Sequence, residues 1–346
     1  VTVGVDEWLS STEPGLSADS FYIFRHQDYC QLTHHIPVLF QPVKDTLLQS
    51  PDGIYIDATY GRGGHARAIL DFLSPVGELW LFDKDKTAIQ HAQAHFGQDP
   101  RVKIFHGSYT QIASVVKEAG KMGAIQGILM DLGISSPQID TPERGFSFMT
   151  NGPLDMRMDQ TAALDAKTWL QETPLGEMIS VFKRYGEEPF AARIAKEIVA
   201  SRSTLPLETT QQLVKLIASC VPQKFQKKHP ATRVFQAIRI AINQELEELA
   251  FTLPTLVPVL KETGRLAIIT FHSLEDRMVK QFIRQFNNDN LPAKLPIMES
   301  QRIQPPLKIV NFKIKPSEEE VEQNIRSRSA TLRVVEKQGS ESTNEN

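Results

Sequence analysis

Apolar residues along this chain follow two different periods, and the switches between them mark out the fold. Short apolar runs at 54–58, 78–82, 102–105 and 127–130 each end in a polar or glycine-rich turn. Helical stretches separate them, and strands alternating with helices predict a doubly wound parallel sheet that takes ligands at the carboxyl ends of its strands. From about residue 135 to 243 the strand signal gives way to helical spacing. Segments 189–201, 207–218 and 232–249 read as helices, the first with Phe190, Ile194 and Ile198 on one face. The strand pattern resumes at Gly264-Arg265-Leu266-Ala267-Ile268-Ile269-Thr270-Phe271, and an amphipathic helix carrying Met278, Val279, Phe282, Ile283 and Phe286 follows. Residues 307–314 and 330–335 predict an antiparallel pair at the sheet edge. The pattern thus predicts a discontinuous α/β domain (34–135 and 244–337) interrupted by a helical insert (136–243). It is flanked by a flexible extension (1–33) and a disordered tail (338–346).

A length of 346 residues accommodates one large domain and a smaller one. Hydrophobic residues make up 41%, and no run is long and apolar enough to span a bilayer, so a soluble, membrane-free protein is expected. A net charge of -3 excludes coating nucleic acid by bulk charge, so any RNA contact must be local. The cysteines, Cys30 and Cys220, lie far apart outside any C-x-x-C arrangement. That usage fits a reducing cytoplasm and offers neither a zinc site nor a disulfide framework, and no metal is expected. The first residues lack the basic start and apolar core of a signal peptide.

The richest candidate chemistry follows the first strand. Asp57-Ala58-Thr59-Tyr60-Gly61-Arg62-Gly63-Gly64-His65 passes from strand to helix through glycines, which permit a sharp turn and close approach of a ligand. Gly61, Gly63 and Ala66 also satisfy the G-x-G-x-x-A form of a dinucleotide fingerprint, and Asp83 lies about twenty residues on, where a ribose-binding acid belongs. An NAD-dependent oxidoreductase is therefore a rival reading. Asp57 points the other way, because a carboxylate before the turn suits the ammonium of a methyl donor, a group NAD lacks. After the fourth strand, Asp131-Leu132-Gly133-Ile134-Ser135-Ser136-Pro137-Gln138 loosely resembles the loop that holds the target amine in enzymes methylating exocyclic amines.

Further segments make the resemblance close. They are His35-Ile36-Pro37-Val38-Leu39, Glu143-Arg144-Gly145-Phe146-Ser147-Phe148, Gly152-Pro153-Leu154-Asp155-Met156-Arg157-Met158-Asp159, the stretch from His229 to Arg239, and Phe271-His272-Ser273-Leu274-Glu275-Asp276-Arg277. With the glycine turn and the Asp131 loop, they make the chain resemble the bacterial 16S ribosomal RNA (cytosine-N4) methyltransferase family, called RsmH or MraW, from about His34 to Glu336. The resemblance implies a Rossmann-like class I methyltransferase sheet with an inserted helical domain, and S-adenosyl-L-methionine as cofactor. The implied target is the N4 amine of a cytosine in the decoding region of 16S rRNA, within the small ribosomal subunit. It further implies that Gly63, Gly64 and His65 hold the methionine end of the cofactor and Asp83 its ribose, with Tyr109 and Asp131 on the adenine side and Gln138 a further contact. Tyr109 stands where relatives often have Phe, a change that keeps an aromatic wall. A non-catalytic RNA-binding assembly factor would share the fold, and monomer and dimer both stay open.

The amine of cytosine is a poor nucleophile because its lone pair is delocalised into the ring, so it must be positioned and rehybridised. Alignment of two bound reactants supplies roughly 7–11 kcal/mol. The Ser135-Ser136-Pro137 loop is the expected acceptor for the amine, through the Ser136 carbonyl; a plain strand-capping turn is the alternative. His272 is the expected proton acceptor, or else only the lead-in to a helix capped by Ser273 and Asp276. Asp155, Arg157 and Asp159 read as pocket or as an ion-pair network, and Phe146 and Phe148 as base-stacking or core. Lys224, Lys227, Lys228, His229, Arg233 and Arg239 form the clearest basic stretch, a phosphate contact or a solvated helix end.

Overall fold

The computed structural model describes residues 37–222, 229–287 and 304–339. The expected extension, His34, His35, Ile36, Lys224, Lys227, Lys228 and the last seven residues of the tail lie outside the described residues.

Seven strands form one mixed sheet in the order β3-β2-β1-β4-β5-β7-β6. They are β1 (Ile54–Asp57), β2 (Glu78–Asp83), β3 (Val102–His106), β4 (Ile125–Asp131), β5 (Leu260–Thr270), β6 (Leu307–Ile314) and β7 (Thr331–Lys337). β1 to β5 run parallel, and β7 inserts antiparallel between β5 and β6. This is an α/β sheet of the Rossmann-like type, closed by the hairpin pair that the apolar runs predict. Alternate residues along each strand serve opposite faces. Ile56, Trp80, Phe82, Ile128, Met130, Leu266 and Ile268 fill one layer, and Tyr55, Leu79, Leu81, Leu129, Ala267 and Ile269 the other. Helices α1 (Phe40–Leu47), α2 (Gly64–Phe72) and α3 (Lys86–Phe96) contribute Val43, Ile69 and Ala92 to the second layer. α4 (Ile112–Glu118) contributes Val116 to the first.

Between β4 and β5 the chain is helical. After the short α5 (Ser136–Asp140) come α6 (Ala166–Glu172), α7 (Leu175–Arg184), α8 (Ala191–Ser201), α9 (Thr210–Cys220) and α10 (Thr232–Asn243). These pack around a core of their own that includes Met178, Phe182, Ile194, Ile198, Ile217 and Phe235. A buried ion pair fastens this layer to the sheet, with Arg144 Nη1 2.7 Å from Asp85 Oδ2. The periodicity over 232–249 predicts one helix; the structure breaks it at Gln244, whose φ of 51° is left-handed, and restarts it as α11 (Glu245–Leu256). Asn243 stabilises the break: its Oδ1 accepts the Met158 N–H at 2.7 Å and its Nδ2 donates to Met156 O at 2.8 Å. After β5, α12 (Ser273–Phe286) packs Val279 and Phe282 into the first layer. α13 (Glu318–Gln323) lies in the charged connection between β6 and β7. Among the described residues no helix is long and apolar enough to cross a membrane.

Candidate active site

β1, β2 and β4 each end in an aspartate: Asp57, Asp83 and Asp131. Because β1 pairs in parallel with both β2 and β4, the three carboxyls gather where the strand order reverses, the usual ligand position in such sheets. Burial is the main influence on all three. It pushes Asp57 up to about 7, Asp83 up to about 6 and Asp131 up to about 8. The Thr59 N–H restrains the rise at Asp57, while the Asp57 charge adds to that at Asp131. Asp57 is the deepest, 1% exposed, with Oδ1 accepting the Thr59 N–H at 3.1 Å.

A cavity of about 950 Å³ opens over this edge. Gly61, Gly63, Gly64, His65, Asp83, Tyr109, Asp131, Ser135, Ser136, Pro137 and Gln138 line it; Asp57 and His272 do not. Two buried acceptors at this wall have no hydrogen-bond partner, Asp131 Oδ1 and His65 Nδ1. Burial lowers His65 to about 4, so the ring is neutral. With Nε2 3.1 Å from Val38 O and best satisfied as the donor, Nδ1 is left as an acceptor. Buried polar groups without partners in a cleft mark a place where a ligand completes the hydrogen bonding. The glycine turn is held by Asp83, whose Oδ2 accepts the Gly61 N–H at 2.8 Å. Gly63, at φ 74°, has no room for a side chain: a Cβ would lie 2.6 Å from the Tyr60 ring. At Gly64 a Cβ would lie 2.3 Å from Pro37. These two glycines are therefore required first by the packing of Tyr60 and Pro37 that shapes the cavity wall.

The Ser135–Gln138 segment is a helix start. Ser135 caps α5, and the Gln138 side chain returns to the Ser135 N–H at 3.0 Å while donating to Asp85 Oδ2 at 2.9 Å. This corrects the reading of the Ser136 carbonyl as the amine acceptor. Ser136 is the first residue of α5, and helix carbonyls point along the axis, away from the amino-terminal end. Ser135, Ser136, Pro137 and Gln138 line the cavity as the first turn of this helix.

His272 is also differently employed from the expectation. It caps α12 in a box with Glu275, one residue before the predicted Ser273–Asp276 pair. Its Nδ1 accepts the Glu275 N–H at 3.4 Å, and its Nε2 lies 3.1 Å from Glu275 Oε1 without hydrogen-bonding geometry. Phe271 and Glu275 are the residues of this segment that line the cavity. Glu275 Oε2 accepts the N–H groups of Phe271 at 2.8 Å and His272 at 3.3 Å. Burial works against ionisation of Glu275, but His272 and the Arg239 charge outweigh it and hold the carboxyl below its usual range.

The insert contributes Met158 and Arg239 to the cavity, and the break after α10 contributes Glu245. Arg239 Nε and Nη2 each donate to the Glu245 carboxylate at 2.8 Å. Arg239 thus turns inward onto Glu245 at the cavity wall, and within the basic stretch only His229 and Arg233 are exposed among the described residues. Glu245, His272 and Glu275 bring donor atoms within 4.8 Å of one another, but Arg239 and backbone N–H groups already engage the carboxylates. Asp155 and Arg157 form a two-point ion pair that orders their own loop. Phe146 and Phe148 belong to the insert core, Phe148 stacking on His229 at 4.6 Å between ring centroids. Glu245, Glu275 and the inward turn of Arg239 escape sequence reasoning. The one available signal was Glu275 three residues after His272, the spacing of a capping box.

A family model described as the MraW methylase family matches residues 32–338. The ribosomal RNA small subunit methyltransferase H of Legionella pneumophila is 49% identical over 304 residues, covering 88% of this chain and 98% of that protein. The protein of the same name from Thioalkalivibrio sulfidiphilus is 49% identical over 304 residues, covering 88% of this chain and 97% of its own. That from Coxiella burnetii is 46% identical over 303 residues, with 88% and 98% covered.

Proposed function

The chain belongs to the MraW methylase family, and on that footing we propose that it transfers a methyl group from S-adenosyl-L-methionine to the N4 amine of a cytosine in the decoding region of 16S rRNA, in the small ribosomal subunit. The observation that carries the cofactor assignment is the acidic edge of the sheet. Three carboxyls, the buried Asp57 and the half-buried Asp83 and Asp131, surround one glycine turn, and their values rise because desolvation and the charges of neighbouring aspartates penalise the charged forms. Such an edge attracts a cofactor bearing sulfonium and ammonium charges and repels the pyrophosphate of NAD. The dinucleotide-like glycine spacing therefore belongs to a methyl-donor turn.

When bound, the cofactor supplies an electrophilic methyl group on a sulfonium. The residues of this chain fit it in distinct ways. His65 Nδ1 and Asp131 Oδ1 are buried acceptors in want of donors, suited to the amino acid end and the adenine amine. The Asp83 oxygens, each taking one backbone N–H, retain lone pairs for ribose hydroxyls. Tyr109 supplies an aromatic wall. The Ser135-Ser136-Pro137 turn borders the space in which the target base is held. The test is incubation with labelled S-adenosyl-L-methionine and small subunits lacking the modification, followed by nucleoside analysis. Labelled N4-methylcytidine supports the reading; label in any other nucleoside, or none in competent subunits, overturns it.

A further inference from the structure

Arg239 presents three nitrogens, and the described residues engage two. Nε and Nη2 are fixed on Glu245, while no hydrogen bond engages Nη1 among the described residues, although the side chain lines the cavity. Glu275 lines the same cavity while only 2% exposed. Its Oε2 is occupied by two backbone N–H groups, and among the described residues its Oε1 is met only by the poorly directed His272 Nε2. One wall of the cavity therefore carries an anionic acceptor and a cationic donor, each locked by its own element: Glu275 by the first turn of α12, and Arg239 by Glu245 across the break at Gln244.

We propose that Glu275 and Arg239 read the hydrogen-bonding edge of the target base, Glu275 Oε1 accepting an N4–H of cytosine and Arg239 Nη1 donating to its N3 and O2 side. The inference rests on the function proposed above and names the groups that make cytosine the substrate. Cytosine offers a donor at N4 beside acceptors at N3 and O2. Uracil offers the reverse order at the first two positions, and would set a carbonyl against the Glu275 carboxylate and an N–H against a guanidinium. A buried site built to hydrogen-bond one pattern rejects the other strongly, because its own polar groups are left unpaired. The acceptor also addresses the chemical difficulty. A carboxylate drawing on one N4 hydrogen favours the tetrahedral nitrogen whose lone pair attacks the methyl carbon. As the N4–C bond forms, the carbon–sulfur bond breaks with its electron pair going to sulfur. The positive charge gained at N4 is discharged by loss of that proton to Glu275. His272 stands behind Glu275 as a positioning residue, which explains its place outside the cavity wall.

The test uses Arg239→Lys, which keeps a cation for Glu245 but loses the third arm, and Glu275→Gln, which keeps an acceptor and the cap but loses the charge. Each is measured for S-adenosylhomocysteine affinity and for single-turnover methyl transfer to unmodified small subunits. Transfer is expected to fall roughly 10- to 100-fold in each variant, the loss of a hydrogen bond to a charged group, with cofactor affinity held within about twofold. Relative binding of cytidine over uridine to the S-adenosylhomocysteine-loaded protein is expected to shrink in step. Unchanged transfer in both variants, with wild type forming N4-methylcytidine, overturns the assignment; so does a parallel fall in cofactor affinity and transfer, the mark of a merely structural role. If the wild type labels a different nucleoside, the function proposed above fails first and this reading falls with it.

Discussion

Asp83 Oδ2 accepts the backbone N–H of Gly61 at 2.8 Å, so the carboxylate that closes β2 holds the turn that follows β1. Its other oxygen accepts the Asp85 N–H at 2.8 Å, joining the start of α3 to the same group. One side chain thus sets the geometry of two loops that border the cofactor cavity.

Replacing Asp83 by Ala removes both anchors and the ribose acceptors together. Cofactor affinity is expected to fall by about 1.5–3 kcal/mol or more, at least tenfold, in isothermal titration. Asp83→Asn, which keeps one acceptor oxygen, is expected to fall between this variant and the wild type. Equal affinity in wild type and Asp83→Ala contradicts the assignment.

The acidic edge also sets a pH dependence. Asp83, Asp57 and Asp131 titrate at about 6, 7 and 8 in the folded protein, above the ordinary 3.8. Between those limits the folded state binds more protons than the unfolded one. Their contribution to stability is therefore full below the ordinary value and is lost as pH rises through about 6 to 8. A cationic ligand reverses this by favouring the ionised carboxylates. S-adenosyl-L-methionine is expected to bind more tightly at about pH 8 than at about pH 6, with net proton release. Titration calorimetry in buffers of differing ionisation enthalpy reads both; proton uptake on binding contradicts the account.

A methyl group at position 63 meets two obstacles, a positive φ of 74° and the Tyr60 ring 2.6 Å away. Gly63→Ala is expected to destabilise the fold by roughly 1–3 kcal/mol through this overpacking. Because Tyr60 must move, cofactor affinity should fall too. Urea unfolding and titration of one preparation measure both.

The Arg144–Asp85 pair ties the helical layer to the sheet with side chains 9% and 6% exposed. Asp85→Ala strands a buried guanidinium and is expected to cost about 3–5 kcal/mol, whereas the double replacement Asp85→Leu with Arg144→Met recovers only part of it, because Gln138 Nε2 and the first turn of α3 also lose their acceptor. Urea unfolding of the single and double variants decides; an Asp85→Ala protein as stable as the wild type shows the pair to be dispensable.

The sheet was legible because its strands are short apolar runs bounded by turn residues, and Asp57, Asp83 and Asp131 could be picked out as the polar residues that close them. The break at Gln244 was not, since an Asn-Gln pair inside an apolar helical period carries no Gly or Pro, and the kink depends on Asn243 reaching a loop more than eighty residues away in sequence. That break is what brings Glu245 back toward Arg239. Likewise the Ser136 carbonyl looks available in the sequence, whereas the chain is helical from that residue, and Glu275 is inconspicuous beside His272, with which it forms the capping box. In each case the missing information was tertiary: which way a carbonyl or side chain points once its neighbours are packed.

Competitive equilibrium binding of S-adenosyl-L-methionine and NADH to the same protein at neutral pH decides whether the aspartate-lined edge of the sheet selects a cationic methyl donor. The expected result is saturable binding of S-adenosyl-L-methionine that NADH does not displace and that Asp83→Ala weakens at least tenfold. Tight NADH binding, displacing S-adenosyl-L-methionine or occurring in its place, contradicts it.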